Sequence, residues 1–132
     1  RMSPDILLVA EAEGCGALSA LAALTDDSFR PYVIQGTDYA LGQDVGLLTR
    51  IDPTQDLSRT DKRASYPVAG SQCGYDGEQD DTGVSKHLEA RFVISGDSST
   101  TDSRSVAVTL IGAHLKAFPT DERSCAQREG QA

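Results

Sequence analysis

Apolar positions in the first half of the chain follow two different patterns. Residues 6–10 form a short, unbroken apolar run, which is typical of a strand buried on both faces. An alanine-rich stretch follows, in which the larger apolar side chains recur at helical spacing until residues 26–27. Two further strands are predicted over 31–35 and 44–49, each followed by a break that contains Gly or Pro. We therefore expect a strand, a helix and two more strands.

The second half of the chain alternates strands with polar segments. Every second residue over 88–94 is apolar, and a long strand is predicted over 105–115, so the two should form an antiparallel pair. Residues 54–63 are polar and are predicted to be a loop, whereas 70–83 are rich in Gly and acid and are predicted to be a solvated surface loop. Acidic residues just after position 120 indicate a helix start. The predicted fold class is α+β.

Composition narrows the function classes. The chain has 132 residues, of which 39% are hydrophobic, and this suits one globular domain with a packed core. No apolar run approaches the roughly 18 residues of a membrane span. The net charge of -8 argues against a broad basic surface that would hold nucleic acid by its backbone. A phosphate-bearing substrate would therefore need local positive charge or a bound cation.

The three cysteines, Cys15, Cys73 and Cys125, are an odd number without C-x-x-C spacing, so neither a zinc site nor a full disulfide framework is indicated. Isolated thiols are the favoured interpretation. A single bridge between Cys73 and Cys125 would suit a protein exported to an oxidising compartment.

Three residues are candidates for chemistry, and the second histidine is set aside. Glu11 follows the apolar first strand, where a carboxylate must be hydrated, paired or bound to a cation; a plain surface glutamate is the simpler alternative. His114 shares an apolar strand face, so periodicity alone favours a core histidine, although an imidazole at a strand end can act as an acid. Lys116 could contact a phosphate or be simply solvated. His87 follows a polar loop and is predicted to be solvated.

Four segments carry a family resemblance through their order. They are residues 4–13 (PDILLVAEAE), 42–50 (GQDVGLLTR) and 112–117 (GAHLKA), followed by Arg123, by Gln127 or Arg128, and by 131–132. In this order they resemble the endonuclease/exonuclease/phosphatase superfamily, the deoxyribonuclease-I-like phosphoesterases. The resemblance covers nearly the whole chain apart from the acidic loop at 70–83, and four ordered motifs are more specific than any one alone.

This resemblance implies a four-layer sandwich in which two mainly antiparallel sheets lie between helices. Residues 1–132 would supply the N-terminal to central portion of that single domain. Glu11 matches the glutamate that binds Mg²⁺ or Mn²⁺ against the scissile phosphate, and His114 matches the histidine beside that phosphate. The implied activity is metal-dependent hydrolysis of a phosphate ester, by a nuclease or a phosphatase, through attack of water.

The resemblance also places the family's asparagine before Arg1 and its Asp-x-Asn and Asp-His motifs after Ala132. We therefore expect residues 1–132 to be inactive on their own, and the alternative function is a non-catalytic binding or scaffolding member of the same fold. Members of the superfamily act on DNA, RNA, lipid head groups or inositol phosphates. An extracellular or periplasmic location is favoured, because the His-Leu-Lys motif and the two downstream cysteines are similar to exported nucleases.

Overall fold

The computed structural model of the protein describes residues 4–25, 28–36, 42–83, 87–96, 104–115 and 120–132. Within these ranges the elements are β1 (Ile6–Ala12), α1 (Cys15–Thr25), β2 (Arg30–Ile34), β3 (Asp44–Thr49), β4 (Arg63–Tyr66), β5 (Asp80–Gly83), β6 (His87–Ser95), β7 (Ser105–Ala113) and α2 (Glu122–Gln131). The strand pairings between these elements are antiparallel, which confirms the predicted α+β class. Of the helices in the described ranges, neither combines the length and the apolar character that crossing a membrane requires.

A three-stranded sheet with the order β1-β3-β2 forms the centre of the fold. The middle strand β3 is buried from Val45 to Thr49 because it has a neighbour on each edge and a layer on each face. On one face lies α1. Its Leu18 packs where Gly46 has no side chain, since a Cβ on Gly46 would lie 2.4 Å from Leu18 Cδ1. The cluster on this face contains Ala12, Leu18, Ala22, Phe29 and Leu48.

The hairpin of β6 and β7 covers the other face of the central sheet. Its two strands pair without a break from His87 opposite Ala113 to Ser95 opposite Ser105, as the alternating pattern predicted. The strand β6 buries Leu88, Ala90 and Phe92, and these pack with Val45 and Leu47 of β3. The layers seen here are therefore α1, the central sheet and the hairpin.

A second, smaller unit consists of β4, β5 and α2, and its strands were not predicted. The expectation of a loop over 70–83 is wrong at its C-terminal end, because residues 80–83 form β5 and pair with β4. These short strands have polar sequences without an apolar period, so no sequence pattern signals them. The helix α2 packs on β4, with the Asp121 carboxylate accepting a hydrogen bond from Ser124 N at 2.7 Å as the N-cap.

A disulfide and a polar network hold α2 in this unit. Cys73 and Cys125 are bonded, which overturns the favoured interpretation of isolated thiols, while Cys15 is free and exposed. Arg123 donates to the buried Tyr66 hydroxyl at 2.8 and 3.0 Å, and that hydroxyl donates to Asp80 at 3.0 Å. The backbone N–H of Asp81 and the Tyr66 hydroxyl lower the pKa of Asp80, and the Tyr66 contact raises the pKa of Arg123.

Candidate functional site

Glu11 lies in a β-bulge of the first strand. Val9 is opposite Gly46 and Ala12 is opposite Asp44, so β1 contains one more residue than β3 across this step. Glu11 itself has a φ of 58°, the left-handed region that a glutamate rarely adopts. The strain is held by the ladder on either side and by Ala12, which is buried in the cluster against α1. Such outliers and bulges concentrate at functional sites.

The bulge decides which way the Glu11 carboxylate points. In a strand that alternates strictly, residue 11 would share a face with Leu7 and Val9, which pack in the cluster against α1. The extra residue lets Ala12 take that inward position instead. Glu11 is left at the rim of the sheet, with 55% of its side chain exposed and its carboxylate beside β7.

His114 follows directly after β7, on the hairpin face that covers the central sheet. The residues on this face, Val108, Leu110 and Gly112, are half-buried or buried, and His114 continues the same alternation at the rim. Its side chain is 27% exposed. Its Nδ1 is buried and has no hydrogen-bond partner among the described residues.

The structure brings the two predicted residues together. His114 Nε2 lies 3.7 Å from Glu11 Oε1, and the contact is an ion pair when the imidazole is protonated. A carboxylate and an imidazole at a partly exposed rim can together bind a cation and a phosphate, or exchange a proton with a bound ligand. Both side chains keep an accessible surface on which such a ligand could be seated.

The other histidine, His87, has a structural contact. His87 is half-buried, and its Nε2 accepts a hydrogen bond from Thr60 N at 2.8 Å, so the prediction of a solvated side chain is wrong. The acceptor role at Nε2 leaves the neutral ring protonated at Nδ1. The contact fixes the loop before β4 to the start of β6. His87 therefore stabilises the fold.

Asp44 and Lys116 are the further residues to consider beside the Glu11–His114 pair. Asp44, which is opposite Ala12 in the sheet register, accepts a hydrogen bond from Gly36 N at 2.7 Å and so fixes the end of β2. In the part of the chain that the structure describes, no three His, Cys, Asp or Glu side chains form a group able to hold a metal ion. Lys116, the predicted substrate-binding residue, lies outside the described residues.

A surface groove exists elsewhere, beside the edge strand β2, and does not include the pair. Burial and the hydrogen bond to Asp52 raise the pKa of Tyr32 in this groove. Asp52 also forms an ion pair with Arg30, so these polar groups beside the groove are paired with one another. The groove is lined by Tyr32, Val33, Ile34, Pro53, Thr54, Gln55, Asp56 and Leu57.

Comparisons with protein families, with curated proteins and with solved structures give no match for this chain. The geometry of Glu11 and His114 must therefore carry the functional argument, together with the order of the four sequence motifs.

Proposed function

We propose that the protein to which this chain belongs is a divalent-metal-dependent phosphoesterase that hydrolyses a phosphate ester by attack of water. The observation that carries the proposal is the 3.7 Å approach of His114 Nε2 to Glu11 Oε1, which joins the two residues that the motifs single out. They are 103 positions apart in sequence and reach the rim from different sheets. The proposed family is the endonuclease/exonuclease/phosphatase superfamily.

The donor set fits a hard divalent cation in part. Glu11 supplies a carboxylate with an exposed surface, and Mg²⁺ is commonly held by one or two carboxylates together with waters and substrate phosphate oxygens. Mg²⁺ or Mn²⁺ bound there would neutralise charge on the phosphoryl oxygens. Glu11 would be its ligand, and further ligands would come from residues outside those described.

His114 would act on the phosphate itself. In hydrolysis the water oxygen forms a bond to phosphorus and releases a proton to the surrounding water, the ester P–O bond breaks, and the leaving oxygen gains a proton. A protonated His114 beside the phosphate can donate a hydrogen bond to the phosphoryl group or the proton to that leaving oxygen. The 3.7 Å approach of the two side chains would place this proton donor directly beside the carboxylate that holds the cation.

The net charge and the disulfide bear on the class of phosphate ester and on the compartment. The net charge of -8 disfavours tight binding of duplex backbone by this part of the protein, so a small phosphate ester or a locally bound strand suits it better. The Cys73–Cys125 bond supports an extracellular or periplasmic location, because disulfides persist in oxidising compartments.

A non-catalytic binding or scaffolding role is the second candidate. It is favoured by one observation, namely that no group of three metal-ligating side chains exists within the described residues. In that case Glu11 and His114 would be a remnant of a site, and cation binding without hydrolysis would be expected.

The test is hydrolysis of bis(p-nitrophenyl) phosphate and p-nitrophenyl phosphate by the full-length protein, with Mg²⁺, with Mn²⁺ and with EDTA. We expect metal-dependent turnover that falls at least 100-fold in Glu11→Gln and in His114→Ala, since removal of one transition-state contact of this kind costs about 10² to 10³ in kcat. Glu13→Gln is the matched control, because Glu13 is an exposed acid two residues away.

Each outcome separates the candidates. Metal-dependent turnover that survives both Glu11→Gln and His114→Ala removes these residues from the site. A folded full-length protein that binds the cation and hydrolyses neither substrate favours the binding role.

A further inference from the structure

Gly112 lies where β7 packs against the Leu8 side chain of β1. It is buried in β7, two residues before His114 and on the same face. A Cβ built on Gly112 would lie 2.4 Å from Leu8 Cδ1 of β1, 3.2 Å from Cδ2 and 3.4 Å from Cγ. No other residue type could bring β7 this close to Leu8 in its present position.

Backbone conformation does not explain the glycine. Gly112 is not among the glycines with positive φ, so an L-residue could adopt its backbone angles. Glycine inside a strand weakens the strand, and it often marks a place where another part of the chain approaches closely. The space occupied by Leu8 is therefore the reason for Gly112.

This contact is near enough to the site to control it. Leu8 is three residues before Glu11 in β1, and Gly112 is two residues before His114, which corresponds to a distance of about 7 Å along the strand. Both strands continue from this contact toward the rim, so a displacement of β7 at Gly112 would be passed on to His114. An added methyl group that moved β7 outward would lengthen the Glu11–His114 contact.

We propose that Gly112 is a positioning residue that sets the distance between Glu11 and His114 by letting β7 close onto Leu8. It touches neither substrate nor cation. The proposal rests on the proposed function only for its catalytic consequence, since the distance itself is a property of the fold. A displacement of about 1 Å at a reacting group can lower the rate about 100-fold, so a small shift is enough to matter.

Leu8 makes the proposal testable because it is 46% exposed, so the Gly112→Ala chain should still fold. We expect β7, and not Leu8 alone, to move in that variant. Shortening Leu8 to Ala in the same chain removes the three atoms nearest to the new methyl group. Gly16→Ala is the matched control, since a Cβ on Gly16 in α1 has nothing within 4 Å.

The experiment measures how strongly the Glu11 carboxylate affects the His114 ring in the full-length protein. The readout is the NMR shift of the His114 ring nuclei caused by Glu11→Gln, recorded in otherwise wild-type protein and in the Gly112→Ala, Leu8→Ala plus Gly112→Ala, and Gly16→Ala backgrounds. We expect the Glu11-dependent shift to fall by at least half in Gly112→Ala. It should recover in the double variant and stay unchanged in Gly16→Ala.

An undiminished shift in folded Gly112→Ala overturns the proposal, as does a double variant that fails to fold or to recover the shift. If Gly112→Ala does not fold alone, the double variant decides in the same way. Turnover measured on the same set separates the two proposals. If the shifts are as predicted but no hydrolysis is seen, the positioning role of Gly112 stands and the proposed function fails. If hydrolysis depends on Glu11 and His114 but is unchanged in Gly112→Ala, the proposed function stands and the positioning role fails.

Discussion

The rim that carries Glu11 and His114 differs from the unit of β4, β5 and α2 in the strain of its backbone. In the small unit the polar groups of the network and the helix cap are paired: the Tyr66 hydroxyl serves Arg123 and Asp80, Asp121 caps α2, and a disulfide closes the unit. At the rim, Glu11 holds a positive φ, and His114 Nδ1 lacks a partner among the described residues. The small unit also contains a buried atom without a partner among the described residues, Glu129 Oε2, so the difference lies in the strained backbone of Glu11.

This contrast supports a functional reading of the rim. Strain and unsatisfied groups cost free energy, and they persist where the surrounding structure enforces them. The β-bulge and the Gly112 contact are such enforcing features, because both lie within paired strands.

Loss of the disulfide should have the largest effect, and it should be confined to the small unit. Replacing Cys73 and Cys125 by Ser opens a bridge across 52 positions of sequence, which should lower the free energy of unfolding by about 4 kcal/mol. Urea unfolding measures the loss, and hydrogen exchange should locate it in α2. Cys15→Ser is the control, because Cys15 is free and exposed. Unchanged exchange protection of α2 after the double replacement would contradict the comparison.

A smaller effect is expected at the rim, and it concerns which substitution of Glu11 gives the more stable protein. The left-handed backbone of Glu11 should make Glu11→Gly more stable than Glu11→Ala by about 1 kcal/mol, because glycine adopts that conformation freely. At Glu13, whose φ is not positive, the order should reverse by about 0.5 kcal/mol. Thermal unfolding of the four variants measures both differences. If Gly and Ala rank alike at the two positions, Glu11 is not strained.

The sequence predicts the parts of the fold that apolar patterns specify. The run at 6–10, the strand at 44–49 and the hairpin of 88–94 with 105–115 appear as β1, β3, β6 and β7. The strands β4 and β5 were missed because polar contacts and a disulfide stabilise them, and neither leaves a periodic signal. Local patterns describe burial well and describe such cross-links poorly.

The assignment of Glu11 and His114 to a functional site stays a prediction, and the sequence gives no indication of their geometry. Motif order singled out Glu11 and His114, and the structure places them side by side. The bulge that turns Glu11 toward β7 has no sequence signal, since a glutamate flanked by alanines gives no indication of a left-handed backbone. The structural role of His87 was hidden for a similar reason, because its partner is a backbone N–H 27 positions earlier in the chain.

The central claim is that Glu11 and His114 share one pocket for a cation and a phosphate. The most direct test is to titrate Mn²⁺ into the full-length protein with isotope-labelled histidines and to follow the broadening of the His114 ring signals. We expect strong broadening in the wild-type protein and in Glu13→Gln, and its loss in Glu11→Gln. A shared pocket would be contradicted by His114 signals that do not broaden with Mn²⁺, or that broaden equally in Glu11→Gln.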